Sequence, residues 1–259
     1  MWATFLALGL IVAIFVALPI AVVVPMSFST SPSLEFPPPA YSIGHYIQFF
    51  HDVTWTGPLI NSSVIATGTA LLTMILITPA AFAMVRHDFR GRSLLNIVLL
   101  MPLIVPHIVM AVGYFTYFAR LGLLQTYLGV ILAHACLTSP VAFLTVSAGL
   151  KGFDRSYERA AQSLGAPPFV AFLVVTFPIL RATFLVSAML TFVQSFDETT
   201  VALFISGRDV ATLPKRMFDA IRLQADPVIS VASALLFGIV VLVFGISLIR
   251  QFLLRRVAR

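Results

Sequence analysis

No charged side chain interrupts residues 1–34, 53–85, 93–119, 121–150 or 227–249, and 182–196 is a shorter run of the same kind. About 20 apolar residues carry a helix across roughly 30 Å of hydrocarbon, where the backbone finds hydrogen-bond partners only within itself. Composition agrees, with 59% hydrophobic and 10% charged residues, against about 25% charged in a soluble domain. The mean hydropathy is +1.02. These values exclude a soluble enzyme domain, a disordered chain and, despite a net charge of +6, a basic nucleic-acid binder. One cysteine, Cys136, excludes a disulfide framework and a Cys-rich metal site. The chain reads as an all-α integral membrane protein.

Trimming polar and proline-rich ends predicts spans near 4–26, 60–85, 94–118, 127–150, 182–205 and 228–250. The apolar stretch 160–180 is set aside, because Pro167, Pro168 and Pro178 interrupt it. The piece after Pro168 is too short to cross. It reads as a short polar helix, a proline break and an interfacial segment. Orientation follows the basic residues. Arg86, Arg90, Arg92, Lys151, Arg155, Arg159, Arg181, Arg250, Arg255, Arg256 and Arg259 fall on one side of a six-span arrangement, and only Arg120, Arg208, Lys215, Arg216 and Arg222 on the other. The first group is expected in the cytoplasm, with both termini. The first helix has no basic residue before its apolar run and is read as an uncleaved span.

Polar groups inside spans are costly, and so are functional candidates. His107 follows Pro102 and Pro106 in MPLIVPHIV, where a broken helix frees backbone carbonyls. His134 reads as a packing or interhelical hydrogen-bonding residue. Asp197 and Glu198 are the costliest pair, each up to ~3 kcal/mol at a helix centre. Two readings stand for them. Either they face a pathway, or they lie near the outer interface or cap a broken helix. In a pathway they favour a cationic substrate, with Tyr114 and Tyr117 as cation–π partners. Ser195 and His107 complete that candidate set. In the loop 27–59, Pro37, Pro38 and Pro39 prevent regular helix. Its Tyr46, Phe49, Phe50 and Trp55 suit an interfacial aromatic anchor or a docking surface for an extracytoplasmic partner.

The segment 151–181 reads KGFDRSYERAAQSLGAPPFVAFLVVTFPILR. Asp154 can cap a helix, Glu158 favours its early turns, and Gly165 followed by Pro167 ends it. A short, solvent-facing helix near 154–165 results, of a shape suited to docking into another protein.

This segment resembles the cytoplasmic loop of permease subunits of ABC importers, Glu-Ala-Ala, three residues, Gly, nine residues, Ile, one residue, Leu-Pro. Ala160, Ala161, Gly165 and Pro178 fall in register with it, and Val175 and Phe177 stand at the Ile and Leu positions. Arg159 stands at the Glu position, with Glu158 one place upstream. The stretches FPPPAYSIGHYIQFF at 36–50, MPLIVPHIVMAVG at 101–113, SFDETTVALFISG at 195–207 and TLPKRMFDAIRLQADP at 212–227 are similar to the second permease of spermidine/putrescine-type systems.

The resemblance implies a single permease domain over 1–259, with six transmembrane helices in the type I importer fold, in a bacterial-type inner membrane. It implies that Glu158, Arg159, Ala160, Ala161, Gly165 and Pro178 couple the chain to a separate ATPase. Expected partners are a second permease subunit, two ATPase copies and an extracytoplasmic solute-binding protein delivering a polyamine-like cargo. No cofactor is expected in this chain. ATP and Mg would belong to the ATPase, since both lysines lack the preceding glycine of a P-loop. The rival is an ion-coupled secondary carrier, because acids in a span also suit proton or sodium coupling.

Overall fold

Prolines and glycines cut the apolar runs at places that hydropathy leaves open. The structure, a computed structural model, describes residues 2–223, 226–239 and 241–242. Apart from one antiparallel bridge, Ser29 with Tyr41, the regular structure of the described residues is helical. Two compact units form, residues 1–56 with 216–259, and Gly57–Lys215.

In the first unit, α1 (Trp2–Ser27) is apolar on every side, and its side chains are exposed along most of its length. At its end the Ser27 hydroxyl bonds the Val24 carbonyl at 2.7 Å and the Tyr46 hydroxyl at 2.8 Å. Tyr46 lies on α2 (Gly44–His51). Of the four loop aromatics expected at the interface, Phe49 and Trp55 are instead fully buried, 5.9 Å apart. The Arg216 guanidinium lies 4.7 Å from the Trp55 ring centroid and donates to the Thr54 carbonyl at 3.2 Å. These rings form a local core, and Phe50 alone of the four is largely open. The helix α3 (Val53–Arg86) starts in this unit and continues into the second.

The second unit contains α4 (Arg92–Leu100), α5 (His107–Leu121), α6 (Tyr127–Gly152), α7 (Ser156–Ser163), α8 (Pro168–Ala171), α9 (Phe177–Ile179), α10 (Arg181–Asp197), α11 (Thr200–Ile205) and the start of α12 (Leu213–Leu223). The sixth expected span is represented, in the first unit, by α13 (Val228–Ile239). Residues 240 and 243–250 of that span, and the basic residues Arg250, Arg255, Arg256 and Arg259, lie outside the described residues. Buried Val130, Ala133, Leu137, Ala142 and Val146 make α6 the axis of this unit, and α10 packs along it. Small residues allow the close approach. A Cβ on Gly149 would stand 2.5 Å from the Thr183 side chain of α10.

Two expected spans are not continuous helices. The run 94–118 breaks at a 3₁₀ turn, Met101–Leu103, and α5 leaves at 103° to the piece before it. Pro102 and Pro106 cause this, since each lacks an N–H and crowds the carbonyl four residues back. The run 182–205 is also interrupted. Helix α10 ends at Asp197, Glu198 is extended, and α11 restarts at Thr200. The stretch 168–179 is helical, through a π-turn at Phe172–Thr176, and meets α10 at 79°. Among the described residues, three helices are long and apolar enough to cross a membrane alone, or up to five spans if each bent pair counts as one.

Candidate functional site

The segment 151–181 is built around an inward carboxylate. Helix α7 enters through Asp154, whose side chain accepts the Ser156 N–H at 2.9 Å. That bond, with the Ser156 hydroxyl and the charge of Arg159, holds the Asp154 carboxyl below its ordinary range. The helix ends in a Schellman motif. The Ala166 N–H reaches the Ala161 carbonyl at 3.1 Å and the Gly165 N–H reaches Gln162 at 2.9 Å. Gly165 has φ of +93°, the left-handed conformation that this ending requires.

Glu158, expected among the residues that couple the chain to an ATPase, is turned into the protein. Its Oε1 accepts from the Thr176 hydroxyl at 2.6 Å and from Arg86 Nη2 at 3.3 Å. Arg86 is itself buried, between the rings of Phe82 and Phe153 at 5.7 and 5.5 Å. Glu158 therefore ties α7 to the end of α3 and to the π-turn. A second tie comes from Arg155, which donates to the Val85 carbonyl at 3.2 Å. The outward face carries Tyr157, Arg159, Ala160 and Leu164, the last 90% exposed. Ala161 is half-buried and Pro178 exposed.

The two helix breaks meet at a second carboxylate. Glu198 is buried; its Oε1 accepts the Val201 N–H at 3.0 Å, capping α11. Its Oε2 lies 3.1 Å from Nδ1 of His107, the first residue of α5. Helix capping, one of the two readings of the acidic pair, describes Glu198. Asp197 is exposed, so the two neighbours share no environment.

The other pathway candidates divide. Ser195 is buried and shares a 2.9 Å hydrogen bond with Nδ1 of His134, joining α10 to α6 as an interhelical contact. His134 Nε2 has no protein partner among the described residues. Tyr114 packs on the apolar cluster that holds Val201 and Ile205 of α11, with its hydroxyl buried and meeting no hydrogen-bond geometry among the described residues. Tyr117 is exposed, its ring edging Phe118 at 6.3 Å.

Sequence comparison matches residues 74–259 to the binding-protein-dependent transport system inner membrane component model. The chain belongs to that family. Among curated proteins, it is 27% identical over 229 residues to a molybdate/tungstate transport system permease protein of Pyrococcus abyssi, covering 88% of this chain and 87% of the relative. It is 29% identical over 207 residues to a putrescine transport system permease protein of Escherichia coli K12, covering 77% and 74%. A spermidine/putrescine permease of Haemophilus influenzae is 27% identical over 216 residues, covering 83% of each chain. Among solved structures, a bacterial ABC transporter that imports the acidic polysaccharide alginate superposes with a TM-score of 0.74 at 16% identity, covering 96% of this chain and 95% of that one. The fold is that of an ABC importer permease, and the protein is a multi-pass membrane transport component.

Arg86 and Thr176 were not among the sequence candidates. Arg86 counts in sequence only as a topology charge at the end of an apolar run. Thr176 sits inside the apolar stretch 166–180, where a lone hydroxyl in an otherwise greasy helix was the available signal.

Proposed function

We propose that this chain is the membrane subunit of an ATP-driven importer, coupled through α7 to a separate ATPase, and that it moves a small cationic, amine-bearing solute inward. The observation that carries the coupling is the geometry of α7. It is a short helix fastened from behind by the Glu158–Arg86–Thr176 cluster, with Tyr157, Arg159, Ala160 and Leu164 left facing outward. A fastened helix with a free outer face transmits displacement, because its inner bonds move with α3. In this reading Arg159, Ala160, Ala161, Gly165 and Pro178 shape the docking surface, and Glu158 holds it in place. A second permease, two ATPase copies and an extracytoplasmic binding protein complete the assembly, with six spans and cytoplasmic termini. ATP and binding protein must prefer different states of the permease pair, since a ligand shifts only an equilibrium whose states it binds unequally.

Cargo charge is supported by Glu198, a buried carboxylate held among the described residues by a half-exposed imidazole and a backbone N–H, and by the putrescine and spermidine permeases among the relatives. The molybdate/tungstate relative favours a second reading, an oxyanion cargo. Uptake by vesicles holding the assembled transporter, with labelled putrescine or molybdate, separates them. ATP-dependent putrescine uptake supports the proposal. Molybdate uptake instead replaces the cargo, and uptake that follows an ion gradient without ATP replaces the machine with a secondary carrier.

A further inference from the structure

We infer a phosphate-binding cavity for an anionic phospholipid headgroup where the ends of α3, α4 and α6 converge. The cavity has a volume of about 680 Å³. Arg92 and Ser93, from the first turn of α4, and Asn96, one turn on, line one side. Ser147 and Lys151 from α6 line another. This is the side of the unit that carries Arg86, Arg155 and α7, the basic end of the helices.

Three independent features point to an anion. Helix α4 starts behind Gly91 with no side-chain cap, so its first N–H groups and dipole favour negative charge. Lys151 makes no ion pair among the described residues, and Arg92 is engaged only by Asp88, which is almost fully exposed. An exposed pair of that kind is weak enough for a phosphate to compete with. The third feature is Ser147, which is 6% exposed, lines the cavity and has no hydrogen-bond partner for its hydroxyl among the described residues. A buried hydroxyl without a partner costs free energy that a ligand oxygen would recover.

The remaining wall is apolar, including Leu100 and Phe143, and Leu144 on it is half open. On the outer side of α4, Leu94, Ile97 and Val98 are exposed. Acyl chains find a surface there that inorganic phosphate does not use. Basic pockets between helix ends at a membrane face suit anionic headgroups by the same chemistry.

The test uses the assembled transporter, stripped of lipid in detergent, with thermal unfolding followed as phosphatidylglycerol, phosphatidylcholine or inorganic phosphate is added. Native mass spectrometry counts the retained lipids. Phosphatidylglycerol is expected to protect, and the Arg92→Gln/Lys151→Gln variant to need about thirtyfold more of it, the equivalent of two basic contacts. Ser147→Ala is expected to weaken retention by a smaller factor. The charge-matched Arg90→Gln/Arg208→Gln variant, altered at exposed sites outside the cavity, is expected to behave as wild type. Both variants unfolding cooperatively without lipid shows that any loss is one of binding. Equal protection by phosphatidylcholine, or an equal loss in the two double variants, overturns the anion site. Equal protection by inorganic phosphate overturns the lipid as its source.

Discussion

Two buried carboxylates in this protein have different surroundings, and the contrast separates a fastener from an addressable site. Glu158 is closed on every side that it uses. A buried guanidinium and a hydroxyl both bond one oxygen, and aromatic rings flank the guanidinium. Glu198 also caps a helix, but its other oxygen meets His107, whose side chain is 43% exposed. A charge paired inside a dry shell is costly to unpair, so it fixes geometry. A charge whose partner reaches water can exchange that partner for a ligand.

The largest expected effect falls on the closed pair. Glu158→Ala or Arg86→Ala strands a buried charge, at about 3–5 kcal/mol. Thermal unfolding of the purified transporter should fall by several degrees, and ATPase subunits should be lost on purification. Glu158→Gln keeps an acceptor for Thr176 and should lose less. If Glu158→Ala keeps both wild-type unfolding and full ATPase retention, the fastener is not one.

Gly165→Pro comes next. Proline fixes φ near about −65° and removes the N–H that closes the helix end, so α7 should fray and transport should stop, at about 3 kcal/mol of local cost. Uptake and ATPase pull-down measured together check this. Normal values of both would detach α7 from coupling.

Glu198→Gln keeps the cap acceptor but removes the charge. Uptake of a cationic cargo should fall about tenfold, the equivalent of one modest charge contact, while the unfolding midpoint moves little. The reverse pattern, with stability lost and uptake kept, would make Glu198 a second fastener and dissolve the contrast. Asp197→Asn, at an exposed position, should change uptake less than Glu198→Gln.

The smallest effect belongs to Asp154. Its carboxyl is held below the ordinary range in the folded protein, so the order it lends α7 is complete above the unfolded value and is lost as pH falls through the folded one. Amide exchange at Ser156 should rise at acid pH in the wild type and be pH-insensitive in Asp154→Asn once intrinsic exchange is corrected.

The ends of the short helix in 151–181 were legible in sequence because their signals are local. Asp154, Gly165 and Pro167 mark helix ends through their own backbone chemistry, and α7 lies between them. The breaks at Pro102 and Pro106 were legible as broken helix, yet the 103° turn was not, since proline says that a helix stops and not where the next one heads. The inward turn of Glu158 was hidden for the same reason. Its partners lie 72 and 18 residues away in the chain, and no spacing rule links a last-turn arginine, a first-turn glutamate and a threonine in an apolar run.

By itself the sequence determined the solvent of this protein and its punctuation. Long uncharged apolar runs require a membrane because only helices satisfy their backbone there, and prolines and glycines set where those helices end. The tertiary structure alone decided which charges face each other. Adjacent Asp197 and Glu198 part company at a helix end, and Glu198 instead finds His107 across two broken helices. Burial and pairing belong to the packed arrangement, and the free energy of a carboxylate depends on what surrounds it more than on what precedes it in the chain.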